Sequence, residues 1–382
     1  MFSKFADGLS GAAIPLLAAK LTRDPVLISI QSNMMLLPWL FFAIPLGALV
    51  DRINRRTAML LVQLTRVLIG MTIASLVISH EMSLWVLMLL TFVFGISEVV
   101  YDTATQSSIP SLLKGHQLER GNSRLQLADT VMQQFVGVPL GAMLYASMVY
   151  SPFLGISICY LVTMFLVFGI GKQDLQANIT RIEKRKLSTE IREGLVYLFR
   201  QKVLFRLVMT TGIIGFFYAM GQATLVLFLL DRLKVPEVVY GWVMIPLAIG
   251  ALFGAFASPK ISARYGRSKV LAVALCVSSG SLLLAGFSPN IYWYMFASLL
   301  HGFFIAQWNI LLMSTYHVMI PNEIFGRIHG TRRTIVWGLM PIGGYIGGLL
   351  AKIDLSVPMI AGGALAAVVA ISQFKFIKSI QA

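Results

Sequence analysis

The chain has 382 residues, of which 57% are hydrophobic and 12% charged, and it bears a formal net charge of +15. With a mean hydropathy of +0.79, it has too little polar surface to clothe a water-soluble globule and falls in the integral membrane class. The basic excess does not point to nucleic acid, because Lys and Arg lie in short gaps between apolar runs and build no basic face with interleaved aromatic residues.

Twelve apolar stretches are long enough to cross ~30 Å of hydrocarbon at ~1.5 Å per residue. In chain order they are residues 3–21, 27–50, 57–79, 83–108, 125–148, 152–171, 204–230, 238–258, 269–287, 291–318, 330–351 and 356–376. They are continuous and lack the short alternating segments of a membrane barrel, which predicts helices. The predicted fold is therefore an all-α membrane protein, with six spans in residues 1–171 and six in residues 204–382. If the N-terminus lies inside, the cytoplasmic connections hold 25 of the 31 Lys and Arg residues and the outer ones 5, with Arg66 left within a span. Both termini are thus expected in the cytoplasm. Cys159 and Cys276 both fall inside apolar segments, where a thiol packs as a small hydrophobe.

After the second stretch the chain turns at Gly47-Ala48-Leu49-Val50-Asp51-Arg52-Ile53-Asn54-Arg55-Arg56. Guanidinium groups in so short a connection cannot enter hydrocarbon, so they pin the loop to a wetted face. Residues 172–203 form the longest polar interval, where Lys184-Arg185-Lys186 precedes Leu187, Ile191, Leu195 and Leu198 at roughly helical spacing. This reads as an interfacial amphipathic helix linking the halves, the alternative being a disordered basic linker.

The halves echo one another. Ile109-Pro110 and Ile320-Pro321 stand 211 residues apart, and an offset of 212 brings Arg52 onto Arg264 and Arg55 onto Arg267. No acid in the second loop matches Asp51. Gly137, Pro139 and Gly141 in the fifth stretch, and Pro341, Gly343, Gly344 and Gly347 in the eleventh, remove side chains along a stripe and permit bending. They are candidate pivots, and plain close packing would need the same residues.

The Asp51 loop resembles the signature loop of the major facilitator superfamily of membrane transporters. A narrower likeness rests on Glu98-Val99-Val100-Tyr101-Asp102-Thr103-Ala104-Thr105-Gln106 through Ile109-Pro110, on Leu118-Glu119-Arg120-Gly121-Asn122, and on Trp308-Asn309 leading to Phe325-Gly326-Arg327-Ile328. These runs resemble the drug-exporter branch that includes macrolide-efflux proteins and the enterobactin exporter. The resemblance implies two six-helix bundles, export, and a bacterial inner-membrane location. It also implies a latch for the outward-facing state built on the loop from Gly47 to Arg56, with Asp102 holding the arginines Arg52, Arg55 and Arg56 and Asp51 reaching the helix start near Gly330. The chain departs from the branch in three ways. Its first span begins later relative to Ala6-Asp7, implying either an upstream start or a short first helix. Val138 and Ala142 replace a Pro and a Gly of the antiporter motif, and the fourth span lacks an arginine common in drug antiporters.

Ionisable groups inside spans are expensive and so are functional candidates. Glu98 is the leading proton-coupling candidate, with Asp7 second, Arg66 as counter-charge and His301 as a further titratable group. Glu98 and Asp102 share a helical face and would repel unless a cation intervenes. Aromatic, methionine and amide groups suit bulky amphipathic cargo, which nominates Gln31, Met35, Trp39, Gln133, Phe217, Tyr218, Gln222, Trp308 and Asn309 as cavity residues. No phosphate-cradling loop, His-Glu-x-x-His or Gly-x-Ser-x-Gly is found, so neither a primary pump nor an intramembrane hydrolase is indicated. The expected partners are a small molecule, a proton and membrane lipid, for a monomer with no cofactor or metal. The alternatives are an importer of lipid or metabolite and a non-transporting receptor on the same fold.

Overall fold

The computed structural model describes residues 1–42, 45–46, 50, 53–112, 129–169, 196–320 and 325–380. In chain order the principal helices are α1 (Phe2–Leu21), α2 (Pro25–Met34), α3 (Leu37–Phe41), α4 (Arg55–Ile78), α5 (Leu84–Leu112), α6 (Val138–Ser147), α7 (Ser151–Phe168), α8 (Lys202–Gln222), α9 (Glu237–Tyr265), α10 (Arg267–Gly286), α11 (Ile291–Met319), α12 (Phe325–Ala351) and α13 (Val357–Lys378). The fold is all-α, and among the described residues nine helical segments are long and apolar enough to cross a membrane.

The other three predicted spans are helical but differ in form. The first is α1, which carries Lys4, Asp7 and Lys20. The second is broken between α2 and α3, where Pro38 occupies the first turn of α3. Its ring cannot donate to the preceding turn, so the chain restarts there. The described part of the fifth is a π-helix over Asp129–Gly137 and becomes α-helical at Val138-Pro139. Of the predicted linker, residues 172–195 lie outside the described residues, while 196–200, the end of the predicted amphipathic helix, are helical with Leu198 buried.

Helix starts follow local chemistry. The Asn54 side chain accepts from the Arg56 amide at 2.9 Å and opens α4, and Asn290 does the same for α11 through Trp293 at 3.0 Å. Caps of this kind contribute about 1 kcal/mol each. Between α9 and α10 the chain reverses at Gly266, whose φ of +86° favours a residue without Cβ.

The chain forms two compact units. Unit 1 comprises Met1–Arg23, Met34–Lys184 and Pro236–Trp242, and unit 2 comprises Asp24–Asn33, Arg185–Val235 and Val243–Ala382. These differ from a simple division at the linker by two exchanged segments. The reason is steric. In unit 2 the carbonyl of Pro341 accepts from the Asn33 side chain at 3.0 Å, and Ser29 and Asn33 sit directly against Gly348 and Gly344. In unit 1 Gly241 lies against Val138 and Pro139 with no room for a Cβ.

Within unit 1, α1 packs on the π-helix, α6 and α7, while α4 packs on α5 and α7. Within unit 2, α8 packs on α12 and α13, and α10 on α11 and α13. The core of unit 2 gathers Leu207, Leu271, Leu275, Leu312, Tyr316 and Val336. Leu61, Leu68, Phe165, Phe253, Phe256 and Val368 are exposed on the outer faces of spans, where hydrocarbon is the solvent.

The glycine stripes are sites of closest approach. A Cβ on Gly137 would meet the carbonyl of Phe5 at 2.8 Å, and one on Gly141 the carbonyl of Leu9 at 2.7 Å. In unit 2 Gly343 and Gly347 meet the carbonyls of Phe216 and Met220 in the same way. The fifth stretch thus packs on the first, and the eleventh on the seventh.

Candidate functional site

Unit 1 encloses a cluster of charges contributed by three helices, with a tyrosine from a fourth. Helical spacing places Ser3, Lys4 and Asp7 on one face of α1. Arg66 of α4, Glu98 of α5 and Tyr160 of α7 converge on that face. Arg66 donates through Nη2 to Oε2 of Glu98. Its Nη1 lies 3.7 Å from Oδ1 of Asp7 and 3.5 Å from Oγ of Ser3. Lys4 Nζ is 3.4 Å from Oδ2 of Asp7 and 3.6 Å from Oε1 of Glu98. The Tyr160 hydroxyl donates to Oδ1 of Asp7 at 2.6 Å. The guanidinium also lies over the rings of Tyr101, Phe94 and Tyr160, 5.0, 5.1 and 5.2 Å from their centroids.

Two carboxylates and two cations make a set that is neutral overall when all are ionised. Such neutrality is what allows the charges to sit at membrane depth, since an unpaired buried charge is costly. Exposure is graded. Arg66 is fully buried, Asp7 8% exposed, Glu98 17% and Lys4 25%, so the cluster is least enclosed on the side of Lys4 and Glu98.

The structure thus brings together three predicted residues, Asp7, Arg66 and Glu98. It adds Lys4, Ser3, Tyr101 and Tyr160, which sequence reasoning missed. The missed signal is the spacing of Lys4 and Asp7, one helical turn apart on an otherwise apolar segment.

The remaining candidates are dispersed. His301 belongs to unit 2, where its Nδ1 lies 2.9 Å from the Ser278 carbonyl and its ring stacks on Tyr218. Of the loop residues, Gly47, Asp51 and Arg52 lie outside the described residues. Arg56 donates to the carbonyls of Val167 at 3.4 Å and Phe168 at 2.5 Å and lies over the Phe168 ring at 5.4 Å. It therefore binds the free carbonyl end of α7, a position that favours cations. Arg55 is half-buried at the start of α4, and Asp102 is half-buried on α5.

Among the cavity candidates, Gln31 on α2 and Trp39 on α3 are buried, and Met35 is half-buried between those helices, its carbonyl against Gly95. Gln133 is half-buried on the π-helix, with its carbonyl beside Gly8. Phe217 packs edge-on to Phe216, with centroids 5.3 Å apart. Trp308 lies in the apolar core of unit 2 with 2% exposure, a packing position that offers no face to a ligand. Its neighbour Asn309 is exposed. Tyr218 and Gln222 line a cleft within unit 2.

Fold and site together define a polytopic helical membrane protein with a charge cluster buried inside one helical unit. The family model of the Major Facilitator Superfamily matches residues 1–351, and the chain belongs to that superfamily of transporters. Its relatives include the MFS-type transporter YfiS of Bacillus subtilis (strain 168), 25% identical over an alignment of 381 positions that covers 95% of this chain and 88% of the relative. Macrolide efflux protein A of Enterococcus faecalis is 23% identical over an alignment of 317 positions that covers 80% of this chain and 95% of that protein. Among solved structures, a mutant of the nucleoside transporter NupG has a TM-score of 0.77 at 13% identity, covering 98% of each chain. A bacterial homologue of the iron transporter ferroportin in an inward-facing state has a TM-score of 0.73 at 17% identity, covering 99% of this chain and 96% of that one. At these identities the likeness is one of fold.

Proposed function

We propose that the protein is a proton-coupled exporter of amphipathic small molecules, working by alternating access in a bacterial inner membrane with both termini in the cytoplasm. The observation that carries this reading is the neutral cluster of Asp7, Glu98, Lys4 and Arg66, in which Glu98 is the less enclosed of the two carboxylates. Protonating Glu98 removes one negative charge from a balanced set and leaves a net positive charge at low dielectric. That imbalance is relieved by rearranging the helices that hold it or by releasing the proton on the other side, which is the requirement for coupling. Asp7 is the second protonatable member, held by Tyr160. Arg66 is the fixed counter-charge.

Export of an amphipathic cargo is supported by the relatives named as macrolide efflux proteins. The test is flux of labelled erythromycin, followed by candidate metabolites, in sealed inverted vesicles with an imposed proton gradient. Accumulation should require the gradient and collapse with a protonophore. Accumulation that ignores the gradient overturns coupling, and no flux for any compound retained by cells lacking the protein overturns export.

A further inference from the structure

Unit 2 is charged unevenly along its helices. Its acids among the described residues are Asp24, Asp231 and Asp354. Asp24 pairs with Lys352 just past α12, Asp231 follows α8, and Asp354 precedes α13, so all three belong to the end where α8 finishes and α13 begins. The opposite end, where α8 starts and α13 finishes, carries Arg200, Lys202, Arg206, Lys375 and Lys378. No acid accompanies them among the described residues.

One of these cations is held in place by its neighbours. Arg206 stands one turn into α8, about 6 Å from its start, and reaches across to α13. Its Nε donates to Oε1 of Gln373 at 2.7 Å, and its guanidinium carbon lies 4.1 Å from the centroid of the Phe376 ring. Gln373 in turn donates to Oγ of Ser372 at 3.1 Å. These contacts occupy Nε and one face of the guanidinium and fix its plane. The Nη groups meet no acceptor among the described residues, and the side chain is exposed. An arginine held in this way presents a planar fork that matches a phosphate with two parallel hydrogen bonds. Lys202 is exposed on the same face of α8, one turn nearer its start. Toward the membrane centre the surface turns apolar, with Met209 and Ile213 half-buried on α8 and Leu365 46% exposed on α13.

We propose that the seam between the start of α8 and the end of α13 binds an anionic phospholipid, its phosphate on the Nη groups of Arg206 and its acyl chains along Met209, Ile213 and Leu365. Basic pockets between spans are where anionic headgroups are recognised. With Lys202 beside the fork and no acid to receive an ammonium, a choline or ethanolamine headgroup meets repulsion that a glycerol headgroup does not. The apolar surface continues from the fork into the hydrocarbon, which suits a phosphate that carries acyl chains and adds nothing for a free phosphate. The site lies wholly within unit 2 and does not rest on the exporter reading.

The test uses the full-length protein, delipidated in neutral detergent, with native mass spectrometry counting bound lipid during titration with dioleoyl phosphatidylglycerol or dioleoyl phosphatidylcholine. The first phosphatidylglycerol should bind about three- to tenfold more tightly than phosphatidylcholine. Arg206→Gln should remove most of that preference, and Arg206→Lys, which keeps the charge but not the fork, should fall between. Lys260→Gln removes an exposed charge near the end of α9, at the same end of unit 2 but outside the seam, and should leave the preference unchanged. Equal affinity for the two lipids in the unmutated protein overturns the proposal and needs no variant to fold. A preference undiminished in folded Arg206→Gln overturns it too, and Arg206→Lys serves in the same way if Arg206→Gln does not fold. A preference lost equally in Lys260→Gln would mark diffuse attraction to a basic surface and overturn the site. Displacement of phosphatidylglycerol by inorganic phosphate at equal concentration would assign the fork to a free anion and overturn the lipid.

Discussion

The fully buried guanidinium of Arg66 donates to the carboxylate of Glu98 while lying 3.7 Å from Asp7. One cation on α4 thus links carboxylates from two other helices. The cluster has a structural role and, in the proposed function, a coupling role, and these separate experimentally.

The structural role is tested at Arg66. Arg66→Leu leaves Asp7 and Glu98 buried with half of their cationic charge removed, and stability should fall by about 3–5 kcal/mol. Arg66→Lys keeps the charge but not the planar fork or the stacking on Phe94, Tyr101 and Tyr160, so recovery should be partial. Thermal unfolding of the purified protein is the measurement. A wild-type midpoint for Arg66→Leu would show that the charges do not depend on one another.

The glycine stripes give a steric prediction. Gly141→Leu and Gly347→Leu drive a side chain into the backbones of Leu9 and Met220, and neither variant should yield monodisperse protein. Gly280 on α10 has open space around its Cβ position. Gly280→Ala should therefore stabilise by roughly 0.5–1 kcal/mol through lost chain entropy. Normal yield of Gly141→Leu would mean that the contact is loose, as a pivot in motion would be.

Arg56 closes the carbonyl end of α7 through Val167 and Phe168. Arg56→Ala should cost about 0.5–1.5 kcal/mol in stability without removing a charge from the Asp7–Glu98 cluster. Hydrogen exchange at the last turn of α7 should accelerate. Unchanged exchange there would assign Arg56 to some other contact.

Asp24, outside the spans, titrates in a defined sense. Slight burial pushes its carboxyl up, but the Val26 and Leu27 amides, 2.7 and 3.3 Å away, and Lys352 outweigh it and hold the pKa below the usual carboxylate range. A lowered folded pKa means that the charged form stabilises the fold above the ordinary value of about 3.9, and that this stability is lost as pH falls through the folded value. The midpoint difference between wild type and Asp24→Ala should be modest at neutral pH, because the group is exposed, and should shrink below about pH 4. A difference independent of pH would contradict the ion-pair and cap account.

Much of the fold was legible because hydrocarbon imposes a strict rule. Long apolar runs and basic gaps admit few arrangements, and charges at depth such as Asp7, Arg66 and Glu98 stand out against them. Lys4 was hidden because near a terminus it reads as a topology signal, and Tyr160 because a tyrosine in an apolar span looks like packing. The break after Met34 had its cue in Pro38, but an apolar run gives no measure of its own continuity. The attachment of residues 24–33 to unit 2 depends on Ser29 and Asn33 meeting glycines more than 300 residues away, which no local pattern reveals.

Coupling through Glu98 is tested most directly by comparing two modes of transport in one preparation. Wild type and Glu98→Gln are reconstituted in liposomes, and the same labelled cargo, identified from metabolites retained by cells lacking the protein, is followed in gradient-driven accumulation and in equilibrium exchange. Glu98→Gln should exchange cargo while its gradient-driven accumulation falls to that of protein-free liposomes. Undiminished accumulation against a gradient by the Glu98→Gln protein would contradict the account.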